Sequence, residues 1–226
     1  MKTYNICMLL FPELTILDFA GPYEVFSRAA CFNIRIVSEN TNPIQTEGGA
    51  YLKADYTFDN CPPSDILFVP GGKGITPILT NEKYLAFLKM QAETAQYITA
   101  VCTGSLILAA AGLLQGYKAT THWRSLELLR ILNVEAVDER VVTDRNRITG
   151  GGITAGIDFG LTLTALLGGE DMAKTIQLLL EYAPLPPFNA GSPKVAEPRI
   201  VQQAMDLTQQ AFDVRLKLLG GIVEQR

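Results

Sequence analysis

YITAVCTGSLILAAAGLL, Tyr97 to Leu114, is the stretch whose reading decides the fold. Tyr97 to Val101 is a short run of mostly apolar, β-prone residues, which predicts a buried strand. GSLILAAAGLL reads as a helix that starts at once and is closed by Gly116. Strand therefore passes into helix at one sharp turn, with Cys102 at its apex.

Outward from this turn, strand and helix patterns alternate. Tyr4 to Leu10 and Asn33 to Ser38 read as buried strands, and TILDFAGPYEVFSRA between them has helical spacing, with Pro22 placed to sit in a first turn. IQTEGGAYLKA reads as a small hairpin around Gly48 and Gly49, and Asp65 to Pro70 as a strand that runs into the glycine turn PGGKG. Glu82 to Ala95 places Leu85, Leu88 and Ala92 on one helical face. After KATTHWRSLELLRIL come short β-prone pieces from Val134 to Val142, the turn DRNR, and ITGGGITAG leading into an apolar helix from about Ile157 to Leu167. A helix from Ala173 to Tyr182, the loop APLPPFNAGSP and a last helix at about 198–223 complete the chain. The last helix carries Ile200, Ala204, Leu207, Ala211, Val214 and Leu218 at alternating spacings, a stripe to bury against the body or a partner subunit. This order predicts one α/β domain over residues 1–226. It is a three-layer sandwich with a mostly parallel central sheet, helices on both faces, and ligands at the carboxyl ends of the strands.

Composition narrows the function classes. With 226 residues and 48% hydrophobic content, the chain can fill one large core. Charged residues are only 19% of the chain and the formal net charge is −4, so nothing is set up to neutralise phosphates, and nucleic-acid or anionic-membrane partners are disfavoured. Pro12, Glu13 and Asp18 interrupt the apolar start before a signal peptide or membrane span could form, an expectation of a cytoplasmic protein. The cysteines at 7, 31, 61 and 102 are far apart and His122 is the one histidine, so neither a local metal site nor a disulfide framework is expected.

Cys102 should sit among free N–H groups at a helix start, where the thiolate is favoured and can act as a nucleophile. Cys7, Cys31 and Cys61 read as small core hydrophobes. Thr103, Gly104 and Ser105 are small or polar, a poor way to fill a core and a good way to open a pocket, although an ordinary N-cap would use them too. The strand-end turns at Gly72 and Thr103 could aim their N–H groups at one point, an oxyanion hole. Asp18 lies in the apolar stretch LTILDFAGP, either as an acid/base with a raised pKa or as an N-cap for the following helix. His122 could pair with the cysteine, support the site through a hydrogen bond, or start a helix beside Trp123; the supporting role is preferred. Asp158 is read as a buried carboxylate hydrogen-bonded to nearby backbone, without a catalytic part.

LDFAGP, FVPGG, VCTGS, ATTHW, GGITAGIDF and EYAPLPPFNAGSP together resemble the PfpI-type, class I glutamine-amidotransferase-like superfamily, and within it the isocyanide (isonitrile) hydratases. The resemblance spans nearly the whole chain and implies a flavodoxin-like fold, a homodimer and no cofactor. It implies hydration of an isocyanide by water to an N-substituted formamide through a cysteine thioimidate. Cys102 would be the nucleophile, Asp18 the acid/base, and Thr103 and Gly72 the groups holding the adduct oxygen or the attacking water. The turn Gly150–Gly151–Gly152–Ile153 resembles a pocket-lining segment, so Gly151 and Ile153 join the substrate-binding set with Gly72 and His122. Thr103 stands where protease-like members carry histidine, and no histidine lies near the carboxyl terminus, which excludes an amidotransferase-style triad. Two other readings stand beside this one. One is a glyoxalase-like or stress-protective thiol enzyme. The other is a ligand-sensing module related to AraC-type regulators, for whose DNA-binding helices the tail leaves no room.

Overall fold

The structure, a computed structural model, describes residues 2–224. Strand β1 (Tyr4–Leu9) leads through helix α1 (Ile16–Arg28) to strand β2 (Phe32–Ser38), which pairs with β1 in parallel from Tyr4 opposite Phe32 to Leu9 opposite Val37. β3 (Ile44–Gln45) and β4 (Tyr51–Leu52) form the expected small hairpin, and β5 (Tyr56–Thr57) lies along the outer edge of β2. The chain then crosses to the other side of β1 with β6 (Ile66–Val69), followed by the short α2 (Ile75–Ile78), α3 (Glu82–Thr94) and β7 (Tyr97–Val101). Helix α4 (Gly104–Ala110) follows β7 directly. Beyond it lie β8 (Lys118–Ala119), a 3-10 turn at Trp123–Ser125, α5 (Leu126–Ile131), β9 (Glu135–Ala136), β10 (Val141–Asp144) and β11 (Arg147–Gly150). Three helices finish the chain: α6 (Ala155–Gly168), α7 (Glu170–Leu179) and α8 (Pro198–Glu224).

The main sheet has the order β10-β11-β7-β6-β1-β2-β5, and every neighbouring pair is parallel except β10 with β11. All of β6 and the last four residues of β1 and of β7 are buried without alternation. Strands buried on both sides need helices over both faces of the sheet, as the sequence pattern predicts. On one face Phe26 of α1, Phe68 of β6 and Phe159 of α6 form an aromatic cluster with ring centroids 5.6–6.3 Å apart. α1 lies close against α6 because Gly156 and Gly160 present no side chain toward Pro22 and Val25.

Four local expectations change. Pro22 sits well inside α1, which starts at Ile16, so Asp18 is in the first turn and Thr15 holds the N-cap position. Along α3 the buried set is Tyr84, Phe87, Leu88 and Gln91 in place of Leu85, Leu88 and Ala92. The aromatic residues, which bury the most area, rotate the helix by about one position. On α8 the buried residues are Phe212, Arg215 and Leu219; of the expected stripe Leu218 packs against the core, whereas Leu207 is 88% and Val214 52% exposed. Asp158 is not buried either; Arg140 and the Tyr182 hydroxyl, at 2.8 Å, hold it near the surface.

The order of the sheet places the ends of β1, β6, β7 and β11 side by side. The segments that leave those ends carry Asp18, Gly71–Gly72, Cys102 and Gly152. Gly104, two residues after Cys102, packs so closely on the end of the neighbouring strand β6 that a Cβ would run into the carbonyl oxygens of Val69 and Pro70. Gly104→Ala should therefore cost about 3 kcal/mol or more, because backbone cannot yield as a side chain does. A urea titration checks this; a midpoint within error of the parent's would contradict the packing described here.

Candidate active site

Cys102 adopts φ 53°, the left-handed region that a non-glycine residue enters at a cost of roughly 1–2 kcal/mol. Hydrogen bonds at both ends of the residue hold it there. Its N–H donates to the carbonyls of Gly150 and Gly151, each at 3.0 Å, and its carbonyl accepts from the Thr121 hydroxyl at 2.8 Å. The loop bearing Thr121 is itself fixed, since Ser105 Oγ donates to the Thr120 carbonyl at 2.7 Å and the Thr120 N–H donates to Thr149 Oγ1 at 2.8 Å. The elbow aims the sulfur toward Asp18, Thr103 and Gly152.

Asp18 has no exposed surface, and neither carboxyl oxygen has a well-formed hydrogen bond among the described residues. The polar groups facing it are the Cys102 thiol and the Gly71 N–H. A Cβ on Gly71 would stand 2.6 Å from Thr103 N, 2.7 Å from Thr103 Oγ1 and 2.9 Å from Asp18 Oδ2, so these three atoms converge where only a glycine fits. Burial pushes the Asp18 carboxyl up to about 7; the Cys102 thiol and the Gly71 N–H oppose the rise, and the nearby Glu47 carboxylate adds to it. The N-cap alternative for Asp18 is ruled out by its place in the first turn.

The thiolate expected at a helix start is not the resting form. Burial, then the Asp18 charge and hydrogen bond, raise the Cys102 thiol well above its ordinary value, while the N–H and hydroxyl of Thr103 lower it by less. At neutral pH the sulfur keeps its proton and Asp18 is the group that exchanges one. Burial drives both groups toward their neutral forms, so together they hold one or two protons.

The oxyanion-hole expectation needs correcting as well. The Gly72 N–H is already used, donating to Thr103 Oγ1 at 3.0 Å, which leaves the Thr103 N–H as the donor facing the sulfur. Gly72 thus orients Thr103 and lines the cavity without offering its N–H to a ligand. Gly151 meets Cys102 only through its carbonyl, and a Cβ there would point toward Arg140, Ala155 and Thr121 and not toward the sulfur. It is Gly152 whose added Cβ would overlap the His122 ring and stand 3.3 Å from Cys102 Sγ. Ile153 lies at the rim of the cavity. His122 takes the helix-start position: its Nδ1 accepts from the Arg124 N–H at 3.3 Å, and burial, helped by Arg215, keeps the ring neutral. Among the described residues no hydrogen bond joins His122 to Cys102.

Above the sulfur opens a cavity of about 260 Å³, reached by Cys102, Thr103, Gly72, His122 and Ile153 from the body and by Phe212 and Arg215 from α8. The contribution of α8 escapes sequence reasoning. Arg215 is buried; its Nε donates to Thr76 Oγ1 at 3.0 Å and its Nη2 to the carbonyls of Gly72 and Lys73 at 3.3 and 3.4 Å, which braces the glycine turn under Thr103. Phe212 carries the Arg124 guanidinium on its ring at 3.8 Å. The available signal was the spacing Phe212, Arg215, Leu219, a second seam beside the stripe that the four-and-three pattern picks out. Among the described residues no group of three or more His, Cys, Asp or Glu is placed to hold a metal, and no helix is long and apolar enough to cross a membrane.

An isonitrile hydratase from Pseudomonas putida is 46% identical over 95% of this chain and 94% of its own length. The HTH-type transcriptional regulator GbdR of Pseudomonas aeruginosa is 31% identical, over 79% of this chain but only 50% of the regulator. The crystal structure of a THiJ/PfpI family protein from Pseudomonas syringae superposes with a TM-score of 0.93 at 39% identity, covering 99% of this chain and 91% of that one. The DJ-1/PfpI family model matches residues 4–166. The chain belongs to the DJ-1/PfpI family.

Proposed function

We propose that this protein hydrates isocyanides to N-substituted formamides, with Cys102 as nucleophile and Asp18 as the proton carrier. The observation that carries the reading is the buried Asp18 carboxyl, which has no settled hydrogen bond, faces the Cys102 thiol, and has a pKa of about 7. A group at that pKa can take and give a proton near neutrality with little driving force in either direction. The 46% identity to an isonitrile hydratase supports the choice of substrate.

Asp18 takes the thiol proton as the sulfur attacks the terminal carbon of R–NC, and delivers that proton to the same carbon. The S–H bond is thereby added across one carbon to give the thioimidate R–N=CH–S–Cys102. Water then attacks this carbon; Asp18 accepts the water proton and passes one to nitrogen, giving R–NH–CH(OH)–S–Cys102. Breaking the C–S bond releases R–NH–CHO, and the sulfur regains its proton. The Thr103 N–H and hydroxyl stabilise the sulfur in the moments it is charged. One carboxyl serves every transfer because the net reaction only adds water.

The same reading includes a homodimer. Leu178 and Leu179 at the end of α7, and Leu185 and Phe188 in the following loop, are 68–93% exposed, a surface suited to a second copy.

Incubating the protein with an alkyl isocyanide should give formamide. Cys102→Ala and Asp18→Asn should each lose at least about 10³-fold in kcat/KM, and acid-quenched wild type should carry one added substrate mass on Cys102. Formamide production retained in Asp18→Asn would contradict the mechanism, and no turnover by wild type would overturn the function. Asp18 also makes stability depend on pH in a definite direction. Its folded pKa of about 7 lies above the ordinary 3.8, so the folded state binds the extra proton, and stability falls as pH rises from about 4 to 7. Asp18→Asn should therefore gain on wild type through that window, reaching a few kcal/mol at pH 8 at about 1.4 kcal/mol per pKa unit. Denaturant titrations at pH 5 and pH 8 measure this, and an equal difference at both would count against a raised pKa. Light scattering should give twice the mass of one chain; a monomer at tens of micromolar would rule out the assembly.

A further inference from the structure

We infer that the isocyanides this site selects carry a carboxylate. This rests on the hydratase reading and deepens it.

The cavity above Cys102 is lined by three cations, Lys73, Arg124 and Arg215, against one carboxylate, Glu47. Among the described residues neither arginine has an ion pair with an acidic side chain. Arg215 is buried and spends Nε and Nη2 on neutral oxygens, while its Nη1 makes no hydrogen bond among the described residues. The Arg124 guanidinium lies over Phe212; among the described residues its Nη2 meets only Gln209 Oε1, at 2.8 Å, and its buried Nε has no hydrogen-bond partner.

A guanidinium taken out of water without an ion pair is costly, and one cavity is bordered here by the buried Arg215 and by the half-buried Arg124, whose Nε is buried. A carboxylate that entered would supply the missing acceptor, and guanidinium–carboxylate bonds are among the stronger hydrogen bonds available. The neutral state of His122 agrees with a positive field, since Arg215 is one of the groups holding its pKa down. Leu128, Ile153 and Phe212 form the apolar remainder of the wall, so an apolar side group on the same molecule is accommodated. The isocyano carbon goes to Cys102 and the carboxylate to the arginine side. The reaction is unchanged: isocyanoacetate plus water gives N-formylglycine.

The test compares isocyanoacetate and 3-isocyanopropanoate with their methyl esters. At least one carboxylate should exceed its ester tenfold or more in kcat/KM. Raising the ionic strength should lower the rate for the anion and not for the ester, and Arg124→Gln should shrink the tenfold ratio to less than threefold. Esters turned over as well as both acids, or a ratio that survives in Arg124→Gln, would overturn the inference and leave the hydratase function standing. If no isocyanide is hydrated, that function fails, and the anion preference is still decided by calorimetry on the wild-type protein. N-formylglycine should then bind at least tenfold more tightly than its methyl ester, and equal affinity would refute it.

Discussion

A carboxyl group removed from water without a settled hydrogen bond is the constraint on which the site depends. Asp18 is held in that state because α1 lies deep against α6, where Gly156 and Gly160 allow close approach, and because Gly71 leaves space for the carboxyl beside Thr103. The stability the protein gives up at Asp18 is the same free energy that brings the carboxyl to a pKa where proton exchange is easy. The thiol is affected in turn, since the Asp18 charge and burial keep the proton on Cys102 until a substrate carbon is there to be attacked.

The fold brings four loops to this one point. Because the chain goes from β1 outward to β2 and then returns across β1 to β6, β7 and β11, the carboxyl ends of the middle strands share one edge of the sheet. Asp18, the glycine turn, the Cys102 elbow and Gly152 each leave from one of those ends. The elbow is strained at φ 53° and tolerates the strain because the Gly150 and Gly151 carbonyls and the Thr121 hydroxyl fix it from both sides. α8 then closes the site from outside the sheet, bracing the Gly72 turn through Arg215 and roofing the cavity with Phe212.

Much of this was legible in the residues because it is encoded locally. The run into VCTGS marks the strand-to-helix turn, and the parallel α/β architecture follows from the alternation of buried runs and helical spacing. Asp18 drew notice as a carboxylate in an apolar stretch. What stayed hidden depends on tertiary distance. The rise of the Cys102 pKa needs Asp18 beside it, and the loss of the Gly72 N–H needs Thr103 across the turn. In α8 two apolar seams lie side by side along one helix. The regular spacing marks Leu207 and Val214, but the body takes Phe212, Arg215 and Leu219, whose arginine reaches acceptors in the glycine turn.

The central claim, that Asp18 and Cys102 hold their protons as one unit, is most directly tested by titrating the Asp18 carboxyl itself. Infrared difference spectra of the wild type and Asp18→Asn isolate its carboxyl band across pH. The account predicts a midpoint near 7, moving higher in Cys102→Ala because the facing thiol, which favours the charged form, is gone. A midpoint near 4, or one that does not respond to the loss of the thiol, would contradict it.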